Sequence, residues 1–175
     1  MTEQSDDHTP ESFIDWEYAR VTAARLAGPG PKVTAGEATA VVADLRRAAE
    51  AAHEPVAQTS RLSSPPGSAP VRVVDRAGWA AANIDSMREL MDPVVAKITA
   101  GMPSQSTPGV ASMGGKVTGA ETGALLAFMA SKVLGQYDLA PSGQPRLLLV
   151  APNIVQAERD MGVSPRDFRL WVAMH

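Results

Sequence analysis

The stretch S-P-R-D-F-R-L-W-V-A-M-H, residues 164–175, decides how this sequence is interpreted. Ser164 suits the N-cap of a helix, and Pro165 suits its first helical position. Asp167 lies where the acid of a capping box lies, and its carboxylate faces the positive end of the helix dipole. These residues predict a capped helix whose last residue, His175, is also the last of the 175 residues.

The apolar side chains of this helix recur at helical spacing. Positions i, i+3, i+4 and i+7 lie on one face of a helix, and here they are Phe168, Trp171, Val172 and His175. The residues off this face are Arg166, Arg169 and Leu170. We therefore expect His175 to point toward the core beside the aromatic side chains. Two interpretations of this histidine remain open. It is either a packed, hydrogen-bonded core residue or one ligand of a metal site, which needs further ligands.

The composition is that of a globular domain with a core of its own. Hydrophobic residues make up 45% of the 175 residues and charged residues 20%. The net charge of -3, without any run of Lys and Arg, argues against nucleic acid or a membrane as partner. The lack of cysteine excludes disulfides, thiolate catalysis and Cys-ligated zinc. Residues 1–10 lack a signal-peptide pattern, so we expect a cytoplasmic protein with a disordered start and one helical domain over residues 11–175.

Caps and breakers divide the first half of the domain. We expect a helix over residues 12–27, and a second helix that starts at the Thr34–Glu37 capping box, reaches about His53 and kinks or restarts at Pro55. A strand over residues 71–74 should lead into a helix capped by Asp75, which resumes after Pro93.

The second half follows the same kind of signals. Residues 101–115, rich in Pro, Ser and Gly, predict a mobile loop, and a second capping box at Thr118 predicts a helix that is buried over residues 124–134. Residues 136–139 then predict a turn, residues 146–150 a strand, and residues 153–161 a helix ending at Gly162. With about six helices and two short strands, the predicted class is mainly α, or α+β with a small sheet.

Common catalytic motifs are missing. His8, His53 and His175 are isolated from one another, so no pair stands at metal-ligand spacing. Gly114-Gly115-Lys116 does not fit a phosphate-binding loop, because the glycine spacing is wrong and no strand precedes it. No nucleophile elbow or dinucleotide fingerprint occurs.

Four stretches in order resemble one family of proteins. They are V-D-R-A-G-W (74–79) with A-N (82–83) after it, V-L-G-Q-Y-D (133–138), L-V-A-P-N-I (149–154) and F-R-L-W-V-A-M-H (168–175). The sequence is similar in these stretches to a zincin-like family of bacterial hydrolases, from high-GC bacteria, that are described as zinc-dependent metalloproteases and sometimes associated with deazaflavin-coenzyme biosynthesis. The resemblance covers residues 11–175.

The resemblance implies a zinc site that starts at His175. In the family the last stretch continues as H-E-x-x-H, where both histidines bind zinc and the glutamate acts as general base on the zinc-bound water that attacks an amide. Only the first ligand maps onto this sequence, at His175. We therefore expect the N-terminal part of a zincin-like domain, truncated at the metal-binding helix, that does not hold zinc tightly and is inactive as a peptidase. The implied substrate is a peptide or a small molecule.

The other matching residues have structural interpretations. We expect Asp75 to cap a helix, Trp79 to anchor the core, Tyr137 and Asp138 to form a turn, and Asn153 to cap the helix after it. The strand over residues 146–150 is a candidate edge for pairing with an extended substrate. The alternative function is a non-catalytic helical scaffold or interaction domain that self-associates through exposed apolar helix faces.

Overall fold

The computed structural model describes residues 13–63, 65, 67, 69–100, 108–140 and 143–175. Within that part the chain forms six helices and three strands: α1 (Trp16–Leu26), α2 (Ala35–Ser60), β1 (Val71–Val74), α3 (Arg76–Thr99), α4 (Pro108–Ala130), β2 (Gly135–Asp138), β3 (Arg146–Val150), α5 (Ala151–Met161) and α6 (Pro165–Met174). The predicted class, mainly α with a small sheet, is confirmed. The expected disorder of residues 1–10 and the first part of the loop predicted over residues 101–115 lie outside the described residues, whereas the rest of that prediction is wrong, because residues 108–115 belong to α4.

The three strands form one sheet in the order β1-β3-β2. β1 runs parallel to β3, and β2 runs antiparallel to it. The predictions of β1 and β3 are confirmed, but the turn predicted over residues 136–139 is wrong, because β2 forms there. The predicted substrate edge on β3 is also wrong, since β1 and β2 occupy both of its hydrogen-bonding sides.

Helices cover both faces of the sheet. Side chains alternate between the two faces of a strand. Accordingly Leu148 and Val150 pack in one apolar cluster with residues of α1, α3 and α4, whereas Leu149 packs in a second cluster with residues of α2, α5 and α6. All three of these β3 side chains are fully buried. The helix that ends at His175 therefore lies on the second face of the sheet.

The path of α4 differs from the prediction. The helix begins at Pro108, so Thr118 lies inside it and its hydroxyl donates to the Gly114 carbonyl at 3.1 Å instead of capping a helix start. The burial predicted over residues 124–134 is confirmed only in part, because Leu126, Ala127 and Ala130 are buried whereas Leu125 is 60% and Phe128 65% exposed. α1 approaches α4 so closely that a Cβ at Gly123 would overlap the backbone of α1, and only one side of α4 is therefore covered.

Two predicted helix starts are confirmed. Glu37 N–H donates to the Thr34 hydroxyl at 3.2 Å, and Thr34 N–H donates to the Glu37 carboxylate at 2.6 Å, which completes the capping box. Hydrogen bonding from the Thr34 backbone and side chain lowers the pKa of Glu37. Asp75 caps α3 by accepting from Gly78 N–H at 2.6 Å.

Two prolines lie inside helices. α2 continues past Pro55 to Ser60 as one helix, so the predicted restart after His53 is wrong while a kink at Pro55 stays a prediction, and α3 likewise contains Pro93. A helix interior tolerates proline at a cost of about 3 kcal/mol, because the rest of the hydrogen-bond ladder stays intact. In the described part of the chain, no helix combines the length and the apolar character that crossing a membrane requires.

Candidate functional site

Helix α6 carries the predicted metal ligand at its C-terminal end. The helix spans Pro165–Met174, with Ser164 at the N-cap and His175 at the C-cap. The predicted start is confirmed, although the Ser164 side chain makes no capping hydrogen bond. α6 packs along α2 and also contacts α5.

A buried arginine fixes α6 to these two helices. Arg169 Nε and Nη2 donate to the two carboxylate oxygens of Glu158 on α5 at 2.7 and 2.9 Å. Arg169 Nη1 donates to Asp44 on α2 at 2.8 Å. The side chains of Arg169 and Glu158 are only 10% and 5% exposed, whereas that of Asp44 is 38% exposed. Such two-pronged pairing of arginine with a carboxylate restricts both distance and orientation.

The same contacts keep Arg169 charged. The hydrogen bonds to Glu158 raise the pKa of Arg169, burial opposes the change, and the negative charges of Glu158 and Asp44 add to the increase. The buried guanidinium is therefore matched by two carboxylates. The prediction that Arg169 lies off the packed face of α6 is wrong for this reason: a paired charge can replace an apolar side chain in the interior.

The apolar side chains of α6 are buried to different extents. Val172 is buried against Leu45, Leu149 and Ile154, and Phe168 packs at the edge of that cluster. Trp171 is 46% exposed, with its ring stacked on Phe168 at 5.8 Å.

His175 is exposed, and its ring centroid lies 4.5 Å from that of Trp171. The prediction that His175 points toward the core is therefore wrong. Since Arg169 and Val172 occupy the buried side of α6, the histidine ring turns outward.

One hydrogen bond defines which nitrogen of His175 can bind a metal. His175 Nδ1 lies 3.1 Å from the Trp171 carbonyl oxygen. A carbonyl can only accept, so Nδ1 carries the proton in the neutral ring and Nε2 keeps a free lone pair. Zinc-binding histidines have this arrangement, in which one ring N–H donates to a backbone carbonyl and the other nitrogen faces the metal.

A complete zinc site is not formed by the described residues. Among them, no group of three or more His, Cys, Asp or Glu side chains converges in a way that could hold a metal ion. His53 lies exposed on α2, and His8 lies outside the described part of the chain. A zinc site needs four ligands, of which three or four come from the protein. His175 as a metal ligand stays a prediction, and no reaction step can be assigned to these residues alone.

The comparisons with known proteins match nearly the whole chain. The model of the zincin-like metallopeptidase family matches residues 14–175. The chain belongs to this family. Zinc binding is a general property of zincin-like metallopeptidases, whereas the deazaflavin association and the high-GC source stay predictions.

A solved structure is similar in fold to this family member. It is the crystal structure of a candidate hydrolase with a novel fold from Chloroflexus aurantiacus, 30% identical in sequence, with a TM-score of 0.66. The match covers 93% of this chain and 50% of the other, so this chain spans half the length of that structure. A comparison with curated proteins found no match.

The remaining residues of the family-like stretches hold the fold together. Trp79 is 2% exposed, which confirms the predicted core anchor. Asn153 is buried inside α5 and does not cap it, because the helix already begins at Ala151. Its side-chain amide donates to the carbonyls of Ala130 and Val133, both at 2.7 Å, and accepts from Arg76 Nε at 2.7 Å. This amide therefore ties the end of α4 to the starts of α3 and α5.

Asp138 forms a second buried polar centre that sequence reasoning missed. It is 4% exposed and accepts hydrogen bonds from the Ser86 hydroxyl, Ala140 N–H and the Arg146 guanidinium at 2.8–3.1 Å. Burial opposes ionisation, but these three donors outweigh it and lower the pKa of Asp138. Asp138 and Arg146 are opposite each other in the β2–β3 ladder. The sequence signal for this buried centre is the opposite-charge pair across β2 and β3, which can be recognised only after both segments are predicted as strands.

Proposed function

We propose that these 175 residues are the N-terminal part of a zinc-dependent metallopeptidase or related hydrolase in which His175 is the first metal ligand. The observation that carries this proposal is the family match over residues 14–175. The solved structure of a candidate hydrolase, twice as long as the matched region, supports it. The substrate we propose is a peptide or a small-molecule amide, and the net charge of -3 makes nucleic acid a poor candidate.

The geometry of α6 supports the role of His175. A metal ligand must be held in place by its surroundings. The hydrogen bonds of the buried Arg169 to Glu158 fix α6 in place. The Trp171 carbonyl accepts the Nδ1–H of His175 and so leaves Nε2 of this histidine available to a metal. The ring lies on the exposed side of α6, where additional ligands can reach it.

The 175-residue chain by itself is expected to be inactive. In this family zinc supplies the activated water for amide hydrolysis. The glutamate base and the second histidine that the H-E-x-x-H pattern places after the first ligand are not among these residues. We therefore expect weak zinc binding and no peptidase activity from this chain.

Metal analysis after dialysis against excess zinc tests this expectation. The purified chain should retain much less than one zinc per molecule, and His175→Ala should remove most of what remains. His53→Ala is the matched control, because it removes an exposed histidine from α2 and should leave the zinc content unchanged. One tightly bound zinc per wild-type chain would contradict the expected weakness of the site.

The coding sequence downstream tests the role of His175 itself. We expect a glutamate codon directly after His175 and a histidine codon four positions after it. In the chain that includes them, wild-type protein should bind one zinc and His175→Ala should bind none. A downstream sequence without this pattern, or full zinc binding by His175→Ala, would remove the basis for the hydrolase.

Exposed apolar helix faces favour a second candidate, a non-catalytic scaffold or interaction domain. On α3, Leu90, Val94 and Ile98 recur every four residues and are 49–59% exposed. On α4, Leu125 and Phe128 are 60% and 65% exposed. Clustered exposed apolar residues are typical of interaction surfaces.

Light scattering at increasing protein concentration tests self-association through these faces. The wild-type mass should rise above that of a monomer. The double variant Leu125→Gln/Phe128→Gln should shift association to at least tenfold higher concentration, whereas Leu26→Gln, an equally exposed residue on α1, should not. A wild-type chain that stays monomeric at every concentration would exclude this function.

A further inference from the structure

The sheet face that carries α6 is uncovered at its β2 end. Val71, Leu147 and Tyr137 are paired across the three strands, and directly opposite residues point to the same face of a sheet. Val71 and Leu147 pack against the second apolar cluster, which contains residues of α2, α5 and α6, but Tyr137 is 55% exposed. Leu139, directly after β2, is 70% exposed, whereas Asp138 before it is buried. Tyr137 and Leu139 therefore form an exposed pair at this end of the face.

α6 runs in the same direction as α2. Arg159 Nη1, near the end of α5, donates to the Lys32 carbonyl at 3.2 Å, so α6 starts close to the point where α2 starts. Farther along both helices, Arg169 donates to Asp44. The first turns of α2 line a groove together with Val74, the last residue of β1. α6 therefore runs from the C-terminal ends of the parallel strands β1 and β3 toward their N-terminal ends.

The last turn of α6 reaches the level of Tyr137. Val172 packs in one cluster with Leu149 of β3. Leu147, the next residue of β3 on that face, lies about 7 Å nearer the N-terminal end, because a strand rises about 3.3 Å per residue. A helix covers about 7 Å in about four to five residues, which leads from Val172 to His175 and just beyond it. Since Leu147 is paired with Tyr137, the end of α6 is level with this tyrosine.

His175 lies on the side of α6 that is nearer β2. Three residues turn a helix by about 300°, so Arg169 and His175 lie about 60° to opposite sides of Val172. Arg169 is on the side of α2 and α5, because it pairs with Asp44 and Glu158. α2 packs on β1, and β2 lies on the other side of β3. The side of α6 that carries His175 is therefore turned toward β2 and away from α2.

We propose that Tyr137 and Leu139 bind the substrate of the hydrolase proposed above and select an apolar side chain. This inference rests on the proposed function, in which His175 is the first metal ligand. The face, the level and the side of α6 all bring the exposed pair to that ligand, where the substrate of a metal-dependent hydrolase must lie. A phenol ring and a leucine offer apolar surface with one hydroxyl, and the Asp138 carboxylate between them is buried against Ser86 of α3. The pair therefore suits a peptide with a leucine-like side chain better than a charged one.

The same geometry argues against burial of the pair by a continuation of α6. The second histidine of the H-E-x-x-H pattern follows four residues after the first, which is about 40° around the helix, so both face the same side. Two zinc ligands on this side need open space in front of them for the metal and the substrate. We therefore expect Tyr137 and Leu139 to stay accessible in the full-length protein, which includes the coding sequence downstream of His175, until a substrate binds.

Tyrosine nitration of the metal-depleted full-length protein tests the proposal without any turnover. Residues 1–175 contain two tyrosines, and Tyr18, which is 45% exposed on α1, is the matched control for Tyr137. Tetranitromethane should nitrate both, as read for each residue by mass spectrometry. N-acetyl-Ala-Leu-Ala-amide, at about four times its Kd, should slow nitration of Tyr137 about fivefold, because about one site in five is then free. Tyr18 should be unaffected, and N-acetyl-Ala-Asp-Ala-amide should protect neither tyrosine.

One variant with a matched control tests the selection of an apolar side chain. Leu139→Asp changes a 70% exposed residue, so the fold should persist, but the leucine peptide should protect Tyr137 with a Kd at least about tenfold higher. Leu26→Asp changes a 60% exposed residue of α1 and should behave like the wild type. In the zinc-loaded protein, Leu139→Asp should raise KM for a leucine-containing peptide and leave kcat nearly unchanged.

Failure of this inference and failure of the proposed function give different results. Slow nitration of Tyr137 without peptide would show that downstream residues cover it, and equal protection of both tyrosines would exclude a local site. Wild-type affinity in Leu139→Asp would exclude the apolar selection. Each of these results overturns the inference even if the full-length protein binds zinc through His175. A full-length protein that binds no zinc would contradict the proposed function, whereas the nitration of Tyr137 is measured without metal and decides the substrate site by itself.

Discussion

The contacts of Arg169 with Glu158 and Asp44 hold α6 in place, and removing them should lower the stability of the chain by an amount that can be measured. In Arg169→Met, the buried Glu158 carboxylate loses two hydrogen bonds and its compensating charge, while Asp44 loses one bond. Methionine is similar in length and fills most of the vacated space, so the loss is mainly electrostatic. The side chain of Glu158 is 5% exposed, and water cannot replace the lost partners there.

The expected loss of stability follows from these burials. Breaking a buried ion pair by removing one partner costs about 3–5 kcal/mol. The contact with Asp44 adds less than about 1 kcal/mol, because that carboxylate is 38% exposed and screened by solvent. We expect a total of about 3 kcal/mol, at the lower end of that range, because the methionine side chain fills most of the vacated space. A chain of this size loses about 2–4 °C in Tm per kcal/mol, so the melting temperature should fall by about 6–12 °C.

Urea unfolding followed by circular dichroism measures this change. The double variant Arg169→Met/Glu158→Gln should recover much of the loss, because it removes the uncompensated charge, and Asp44→Asn alone should cost less than about 1 kcal/mol. The effect should not vary between pH 6 and 9. Folding raises the pKa of Arg169 above its ordinary, strongly basic value, so its contribution is present throughout this pH range and is lost only at far higher pH. A loss below about 1 kcal/mol in Arg169→Met would show that these contacts do not anchor α6.

Two further predictions concern other parts of the fold. Gly123→Ala should lower the free energy of unfolding by about 1–3 kcal/mol, because the new Cβ would overlap the Ala19 carbonyl. Gly114→Ala, in the same helix, places its Cβ in open space and should raise the free energy of unfolding by about 0.5–1 kcal/mol. Equal shifts of the urea midpoint in the two variants would contradict this prediction. Since folding lowers the pKa of Asp138 below 3.8, the stability that its charge provides is present above about pH 4 and is lost as the pH falls through the lowered value. Urea unfolding at pH 7, 4 and 3 should therefore show a steeper acid loss for wild type than for Asp138→Asn, and parallel profiles would contradict the role of this carboxylate.

Elements with local signals could be predicted from the sequence. The Thr34–Glu37 capping box, the Asp75 cap and the left-handed Gly162 each depend on neighbouring residues only, and each is confirmed. The strand β3 is likewise confirmed, because its uninterrupted apolar run Leu147–Val150 is typical of a strand in the interior of a sheet.

Elements that depend on distant partners could not be predicted. β2 is a short polar segment that becomes a strand only because β3 offers it an antiparallel edge. α4 begins at Pro108 and packs on α1, where the backbones of its Gly119 and Gly123 approach α1 closely. The helix-breaking character of glycine suggested a loop there, but tertiary packing outweighed that tendency.

The orientation of His175 shows the same limit at the candidate site. An apolar stripe on a helix predicts the buried face only when no charged residue of that helix forms ion pairs in the protein interior. Arg169 pairs with Glu158 and Asp44, which are 11 and 125 residues away in sequence, and Trp171 and His175 lie exposed. This orientation of His175 determines from which side other metal ligands could reach it. Since the ring of His175 lies on the exposed side of α6, any further ligands must approach from the solvent side of this helix, where the described part of the chain provides no convergent ligand group. A zinc centre starting at His175 is therefore one that residues outside this part of the chain must complete.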